Sequence, residues 1–312
     1  MGAAQGSGGD GAVVSIDWLI TGARGQLGHD LLEVLRGRPE DSVTAVGRAE
    51  LDLTDETAVR ATVREWLSAA EAAGSRAVLV NAAAYTAVDA AEEDEATAQV
   101  VNGAAPGWLA EELAGHPGGP GRLVHVSTDY VFDGTASQPY RVDSPIAPRS
   151  AYGRTKAAGE QAVAAAGGES AVVRTAWVYG RHGANFVRTM LRLEAERDTV
   201  SVVDDQVGSP TWSADLAAGL VELGARTEAP PPVLHYTNAG QVSWCGLARA
   251  VFEEAGADPA RVLPTTTDAF PRPAPRPAYS VLDGSAWNEA GLTPARPWRD
   301  ALTVALSEGF RE

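Results

Sequence analysis

Lysine is almost missing from this chain: Lys156 is the only one among 25 Lys and Arg residues, so arginine carries nearly all the positive charge. No basic run exists either. The 41 Asp and Glu residues outnumber the cations, leaving a formal net charge of −16. That balance excludes nucleic acid and anionic membrane as expected partners, and an anionic ligand would need a local cluster of donors. Cysteine is down to Cys245, which excludes an internal disulfide and a thiol-rich metal site and fits a reducing cytoplasm. The five His residues are scattered, with no HExxH-like pair. No apolar stretch is long enough to span a membrane. The opening MGAAQGSGGDGA lacks the charged and apolar regions of a signal peptide, and residues 1–14 read as a disordered tail. The expectation is a soluble, cytoplasmic protein.

What is there suits one large domain or two modest ones: 312 residues, 45% hydrophobic and 21% charged. The apolar run Val13–Thr21 predicts a first strand, Ser42–Gly47 a second, Arg76–Ala84 a third, Arg122–Ser127 a fourth and Ser170–Gly180 a fifth. Helices are predicted between them: one through Leu27, Leu31, Leu32 and Leu35, one over Thr54–Ala73 capped by Thr54 or Asp55, a long one over Ala91–Ala114, and one from Tyr152 to about Ala166. This alternation predicts an α/β fold, a doubly wound parallel sheet with right-handed crossovers. After Gly180 the rhythm loosens. Helical patterns near Asn185–Glu196, Ser213–Leu223 and Ser243–Ala255 are separated by Pro-rich loops, and FPRPAPRPAYS (Phe270–Ser280) reads as a defined extended loop.

The first strand runs straight into ITGARGQLG, placing Gly22, Gly25 and Gly28 between strand and helix. Glycines there allow a tight turn and bring backbone N–H groups close to a pyrophosphate at the helix N-terminus, the arrangement of a dinucleotide site. The bland alternative is a structural turn. In NAD-specific proteins an acid ends the second strand and holds the ribose 2′-hydroxyl. Here Arg48 stands in that place and Arg24 lies in the glycine loop, so NADPH is favoured, with NADH still allowed. The domain expectation is a Rossmann NAD(P)-binding unit over residues 15–176, to which segments near 198–242 return. Residues 177–197 and 243–312 would form a smaller C-terminal substrate-binding lobe.

The fourth strand ends in STDYVFDG, and YGRTK opens the helix after it. Tyr152 and Lys156, four residues apart on a helix, share one face. The expectation is that a tyrosine can protonate an alkoxide only if its pKa falls from about 10 toward neutrality, a shift worth about 4 kcal/mol. Lys156 could supply the cation and also bond the nicotinamide ribose, and Thr128 could donate to the substrate carbonyl or the tyrosine oxygen. The alternative for Lys156 is a surface lysine on an alanine-rich helix.

On these residues the chain resembles an extended short-chain dehydrogenase/reductase, and within that superfamily the dTDP-4-dehydrorhamnose reductase family. Matching runs extend from Trp18 to about Phe310: GARGQLG, LDLTD, VNAAAYTAVDAAE, STDYVFDG, YGRTKAAGE, RTAWVYG, NFVRTMLRL, DDQVGSPT and RPAYSVLD. The resemblance implies reduction of the C4 ketone of a dTDP-4-keto-6-deoxyhexose by NADPH, with Tyr152 as proton donor. It assigns Gly25, Gln26 and Leu27 to the pyrophosphate, Asp52 and Leu53 to the adenine, and Ala83, Ala84 and Thr86 to the third-strand side of the cofactor, beside Gly22, Gly28, Arg24 and Arg48 already read from the residues. Asp129 and Trp177 would contact the sugar nucleotide along with Thr128 and Tyr152. A magnesium ion near Asp30 and a homodimer are compatible with the family. Two positions depart from the family pattern: Tyr279 stands where asparagine is usual, and Tyr85 where histidine is common. A ketoreductase for another dTDP-deoxysugar, a nucleotide-sugar epimerase and a non-catalytic regulatory homologue remain open. A dehydratase is disfavoured, because Asp129 is followed by Tyr130 rather than a second acid.

Overall fold

The computed structural model describes residues 15–119, 121–308 and 310; the tail expected at 1–14 lies outside them. The first half alternates as its apolar pattern requires: β1 (Ile16–Thr21), α1 (Gln26–Arg36), β2 (Ser42–Val46), α2 (Glu56–Ala73), β3 (Arg76–Asn81), α3 (Glu95–Gln99), α4 (Ala105–Ala114), β4 (Arg122–Thr128), α5 (Ala151–Ala166) and β5 (Glu169–Thr175). Asp55, not Thr54, caps α2, its Oδ1 accepting from Ala58 N at 3.0 Å. Ser150 caps α5 in the same way, bonding Gly153 N at 3.1 Å.

The long helix expected over 91–114 is broken. Short helical turns at 90–92 and α3 precede a π-turn at Val100–Ala104, and α4 starts only afterwards, with Pro106 in its first turn. The wide turn frees the Asn102 side chain, which bonds the backbone N and O of Tyr85 at 2.8 and 3.1 Å and Thr155 Oγ1 at 3.2 Å. It thereby ties the segment after β3 to α5. Single π-turns of this kind recur beside functional sites.

The later elements are β6 (Val178–Tyr179), α6 (Phe186–Glu196), β7 (Val200–Val203), β8 (Val207–Gly208), β9 (Thr211–Trp212), α7 (Ser213–Ala225), β10 (Val233–His235), β11 (Val242–Ser243), α8 (Trp244–Glu254), β12 (Val262–Thr265), α9 (Ser285–Glu289) and α10 (Trp298–Ser307). Six strands form one parallel sheet in the order β10-β5-β4-β3-β1-β2. One face is covered by α1 and α7, with Leu31, Leu216 and Leu220 packed on Trp18, Ile20 and Val78. The other is covered by α2, α4 and α5 through Val63, Leu67, Leu109 and Val163. Each such leucine, fully buried, contributes about 1.5–3 kcal/mol.

The smaller lobe has its own core of Val187, Met190, Leu247, Val251, Phe252 and Leu302. The segment expected to return to the sheet is divided. Within 198–242, α7 and β10 do return, whereas β7 pairs with β12 in the lobe. Conversely Trp287 and Leu292, from the stretch assigned to the lobe, are buried in the sheet's core. Residues 270–280 form an extended loop with neither helix nor strand.

Candidate active site

The carboxyl ends of β1, β3, β4 and β5 open on a cavity of about 840 Å³, at the sheet edge where doubly wound folds bind ligands. Sixteen residues predicted from sequence line it: Gly22, Arg24, Gly25, Gln26, Leu27, Arg48, Asp52, Leu53, Ala83, Ala84, Thr86, Thr128, Asp129, Tyr152, Lys156 and Trp177. Gly28 does not; it lies beneath the loop.

The loop's geometry fits a pyrophosphate. Gly22 has φ +71°, and a Cβ there would sit 2.7 Å from the Ala82 and Ala83 backbone; at Gly28 a Cβ would sit 2.3 Å from Gly22 O. Only glycine therefore lets the turn close against β3 and the start of α1. Gly25 caps α1 without a side chain, so the helix's first N–H groups are left for a ligand. The Gln26 side chain does something else. It donates to Val178 O at 3.2 Å and accepts from Asn185 Nδ2 at 2.8 Å, joining the glycine loop to the segment that leads into the lobe.

Where the glycine loop meets the end of β2 both arginines are exposed, and each is matched by an acid. Arg24 pairs with Glu50 at 3.0 Å, and Arg48 Nε lies 3.6 Å from Asp52 Oδ2. Asp30 accepts a hydrogen bond from the Ser213 hydroxyl. Among the described residues no group of three or more His, Cys, Asp or Glu is placed to hold a metal ion, so magnesium gains no support. No described helix is long and apolar enough to cross a membrane.

At the other end α5 and the end of β4 bring Thr128, Asp129, Tyr152 and Lys156 to the cavity. Burial pushes the Tyr152 phenol up to about 12, with the Thr128 hydroxyl opposing the rise and the Asp129 carboxylate adding to it. The expectation that Lys156 draws this phenol toward neutrality is not met in the protein alone. The Lys156 Nζ donates to Val126 O at 2.6 Å and faces His125 Nε2 at 3.4 Å, and burial takes its own pKa down to about 8 against the pull of Glu160. The lysine is turned to Val126 O and His125, and desolvation governs the phenol. Thr128 Oγ1 donates to Asp129 Oδ1 at 2.9 Å. The Ser280 hydroxyl is near enough to favour the Asp129 carboxylate, but Asp129 Oδ2 and Ser280 Oγ have no well-formed hydrogen bond. Burial raises the Asp129 carboxyl to about 6.

Trp177 has φ +49°, the left-handed region that a bulky side chain seldom adopts. Its half-buried indole stacks on Trp244 with centroids 3.5 Å apart and planes 7° apart, and both rings line the cavity. Trp244 was not singled out by sequence reasoning, nor were Asn81, Asn102 and His125. Their partners lie on other elements; Asn81 falls in the run VNAAAYTAVDAAE, but no spacing there marks its role. Of the two departures from the family pattern, Tyr85 lines the cavity. Tyr279 does not; its hydroxyl donates to Gln241 Oε1 at 2.8 Å.

The chain is similar to known reductases. The family model described as the RmlD substrate binding domain matches residues 16–310. The chain is 51% identical to a probable dTDP-4,6-dihydroxy-2-methyloxan-3-one 4-ketoreductase of Streptomyces antibioticus, over 93% of this chain and 95% of that protein. It is also 51% identical to a dTDP-4-dehydrorhamnose reductase of Streptomyces griseus, over 93% and 92%. A crystal structure of dTDP-4-dehydrorhamnose reductase from Bacillus anthracis, in complex with NADP, superposes with a TM-score of 0.86 at 35% identity, covering 95% of this chain and 100% of that one. A glycine loop shaped for a dinucleotide, a Thr–Tyr–Lys set at the same sheet edge and a match running through both lobes leave one assignment: the chain belongs to the RmlD substrate binding domain family and is an NAD(P)-linked oxidoreductase of the dTDP-4-dehydrorhamnose reductase kind.

Proposed function

We propose that this protein uses NADPH to reduce the C4 ketone of a dTDP-4-keto-6-deoxyhexose, with dTDP-4-dehydro-L-rhamnose giving dTDP-L-rhamnose. The observation that carries the reading is the convergence of Thr128, Tyr152 and Lys156 on the cavity that the glycine loop opens. A bound nicotinamide would supply the hydride.

The chain's own residues account for the rest. Tyr152, half-buried and with its phenol raised to about 12, is protonated at neutral pH and can donate. The alkoxide oxygen that develops at C4 is a stronger base than a phenolate, so proton transfer from Tyr152 Oη to that oxygen is downhill even from this raised pKa. The high pKa also disfavours the reverse step, proton removal from a product alcohol. Thr128 holds the ketone oxygen or the phenol in line, and Asp129 and Trp177 take the sugar nucleotide. Arg48, with Arg24 beside it, reads the 2′-phosphate; both are exposed, so their pairings with Asp52 and Glu50 are weak and can be exchanged for a stronger anion. The lobe built on Val187, Met190, Leu247, Val251, Phe252 and Leu302 would cover the substrate.

A second reading has a specific observation behind it. The 51% identity to the Streptomyces antibioticus 4-ketoreductase equals that to the dehydrorhamnose reductase, so a related dTDP-4-keto-deoxysugar is the competing substrate. A panel of dTDP-4-keto-6-deoxyhexoses offered with NADPH or NADH, followed by nucleotide absorbance and product NMR, separates them. Stoichiometric NADPH oxidation with formation of dTDP-L-rhamnose is the expected result. Turnover of another panel member alone would move the substrate to the second reading. Interconversion of sugars without net NADPH consumption would make the protein an epimerase.

A further inference from the structure

Three neighbouring strands carry one polar side chain each at matched register: Thr21 on β1 opposite Asn81 on β3, and Asn81 opposite His125 on β4. All three are buried to within about one per cent of complete exclusion. They form a line of hydrogen bonds that ends on Lys156. Thr21 Oγ1 donates to Asn81 Oδ1 at 2.6 Å, Asn81 Nδ2 meets His125 Nδ1 at 3.0 Å, and His125 Nε2 faces Lys156 Nζ at 3.4 Å.

The protons on this line can be placed by elimination. Ala83 N–H, which can only donate, points to Asn81 Oδ1 at 3.2 Å. That fixes the amide with its NH₂ toward His125. The NH₂ group is a donor only, so His125 Nδ1 accepts and carries no proton. Complete burial keeps the imidazole neutral, so the single ring proton lies on Nε2, the nitrogen turned to Nζ. An N–H aimed at an amine lone pair is a hydrogen bond; aimed at an ammonium it is a repulsion. Val126 O accepts from Nζ in either state and does not discriminate.

We infer that His125, held by Asn81 as the Nε2-protonated tautomer, is a positioning residue that sets the charge of Lys156 by favouring the amine over the ammonium. The other titratable and charged groups bearing on the lysine do not replace it. Glu160, on the same helix, has its oxygens committed to Arg174 of β5 at 2.7 Å and to the Ser127 hydroxyl at 2.5 Å. Tyr152 and Asp129 lie toward the cavity, the first protonated at neutral pH and the second hydrogen-bonded to Thr128. The coupling runs both ways. A change of tautomer at His125 demands rotation of the Asn81 amide and loss of its bond to Ala83 N, whose residue lines the cofactor side of the cavity. The inference rests on Lys156 serving Tyr152 only for its consequence in catalysis, and its test needs no substrate.

Because Lys156 is the only lysine, protein labelled with ¹³Cε,¹⁵Nζ-lysine gives one side-chain signal, which can be titrated by NMR without assignment. In the wild-type chain the midpoint is expected well below the ordinary lysine value of about 10.4, and ¹⁵N imidazole shifts should report His125 protonated on Nε2. Asn81→Asp is the decisive variant. Its carboxylate accepts from Thr21, from Ala83 N and from His125 Nδ1–H, so Nε2 becomes an acceptor. The lysine midpoint should then rise by about one pH unit or more, and the pH profile of kcat should move with it. His125→Gln, whose amide can turn its oxygen to Nζ, should raise the midpoint too and serves if Asn81→Asp does not fold. A His125 protonated on Nδ1 in the wild type, or a lysine midpoint that neither variant moves, overturns the inference.

Discussion

Replacing Asp129 with asparagine should exchange function for stability, by an amount that follows from the site. The Asp129 carboxyl is buried, Oδ1 accepts from Thr128 and Oδ2 has no partner. It titrates at about 6 rather than 3.8, burial being the main cause. A carboxyl whose folded pKa lies above its unfolded value stabilises the native state fully only below the unfolded value, and that contribution is lost as pH rises through the folded value. At neutral pH the native protein therefore holds an unfavourable buried charge, worth about 3 kcal/mol for a shift of about two units. An asparagine of the same shape has no charge to bury, keeps an acceptor for Thr128 and can turn its NH₂ toward Ser280. The variant should be more stable by about 3 kcal/mol at about pH 7.5 and by roughly half of that at about pH 5. For a chain of this length those gains correspond to increases in Tm of about 5 °C and about 2 °C. Thermal unfolding by circular dichroism at both pH values, with kcat/KM measured on the same samples, tests both halves; activity is expected to fall by about tenfold or more. An equal gain at the two pH values would refute the electrostatic reasoning. So would an asparagine variant less stable than the wild type near neutrality.

The remaining predictions concern the same cavity. Tyr152→Phe should lower kcat by about 10²–10⁴ with cofactor affinity little changed, as measured by steady-state kinetics and NADPH titration. Lys156→Arg should be inactive as well, because a planar guanidinium cannot place one donor under the nicotinamide ribose and keep its charge beside the phenol from a buried site with 2% exposure; near-normal turnover with an unshifted pH profile would count against the role given to the lysine. Arg48→Asp should erase or reverse the preference for NADPH over NADH, weakening NADPH binding by about 1.5–3 kcal/mol, and an unchanged ratio of the two efficiencies would remove Arg48 from 2′-phosphate recognition. Trp177→Ala should raise KM for the sugar nucleotide while costing less than the roughly 3–5 kcal/mol typical of a buried aromatic, as equilibrium unfolding with denaturant would report.

Much of this molecule was legible before folding was considered. Apolar runs and helical apolar patterns mark five of the six strands of the main sheet and the helices between them, and short motifs such as ITGARGQLG and YGRTK carry their geometry locally. Of the residues named from those motifs, only Gly28 fails to line the cavity, because its service is to let the loop close. The misreadings have physical causes. The helix expected over 91–114 satisfies the apolar pattern throughout, but Asn102 has better partners in Tyr85 and Thr155 than a regular helix would give it, and the π-turn follows. The expected pull of Lys156 on the Tyr152 phenol was a pairwise argument. The folded chain turns Nζ to Val126 O and His125 instead, and burial raises the phenol.

By itself, then, the sequence determined what is local: the alternation of elements, the glycine turn at the start of α1, and the one-turn spacing of Tyr152 and Lys156, each a property of residues a few positions apart. Tertiary structure decided the rest. Parallel register sets Thr21, Asn81 and His125, more than forty residues apart at each step, side by side in three strands. The packing of α5 then seals Lys156 against the last of them. Charge state and tautomer depend on desolvation and on which partner faces each atom, and those are fixed only when distant strands are brought into register and water is excluded between them.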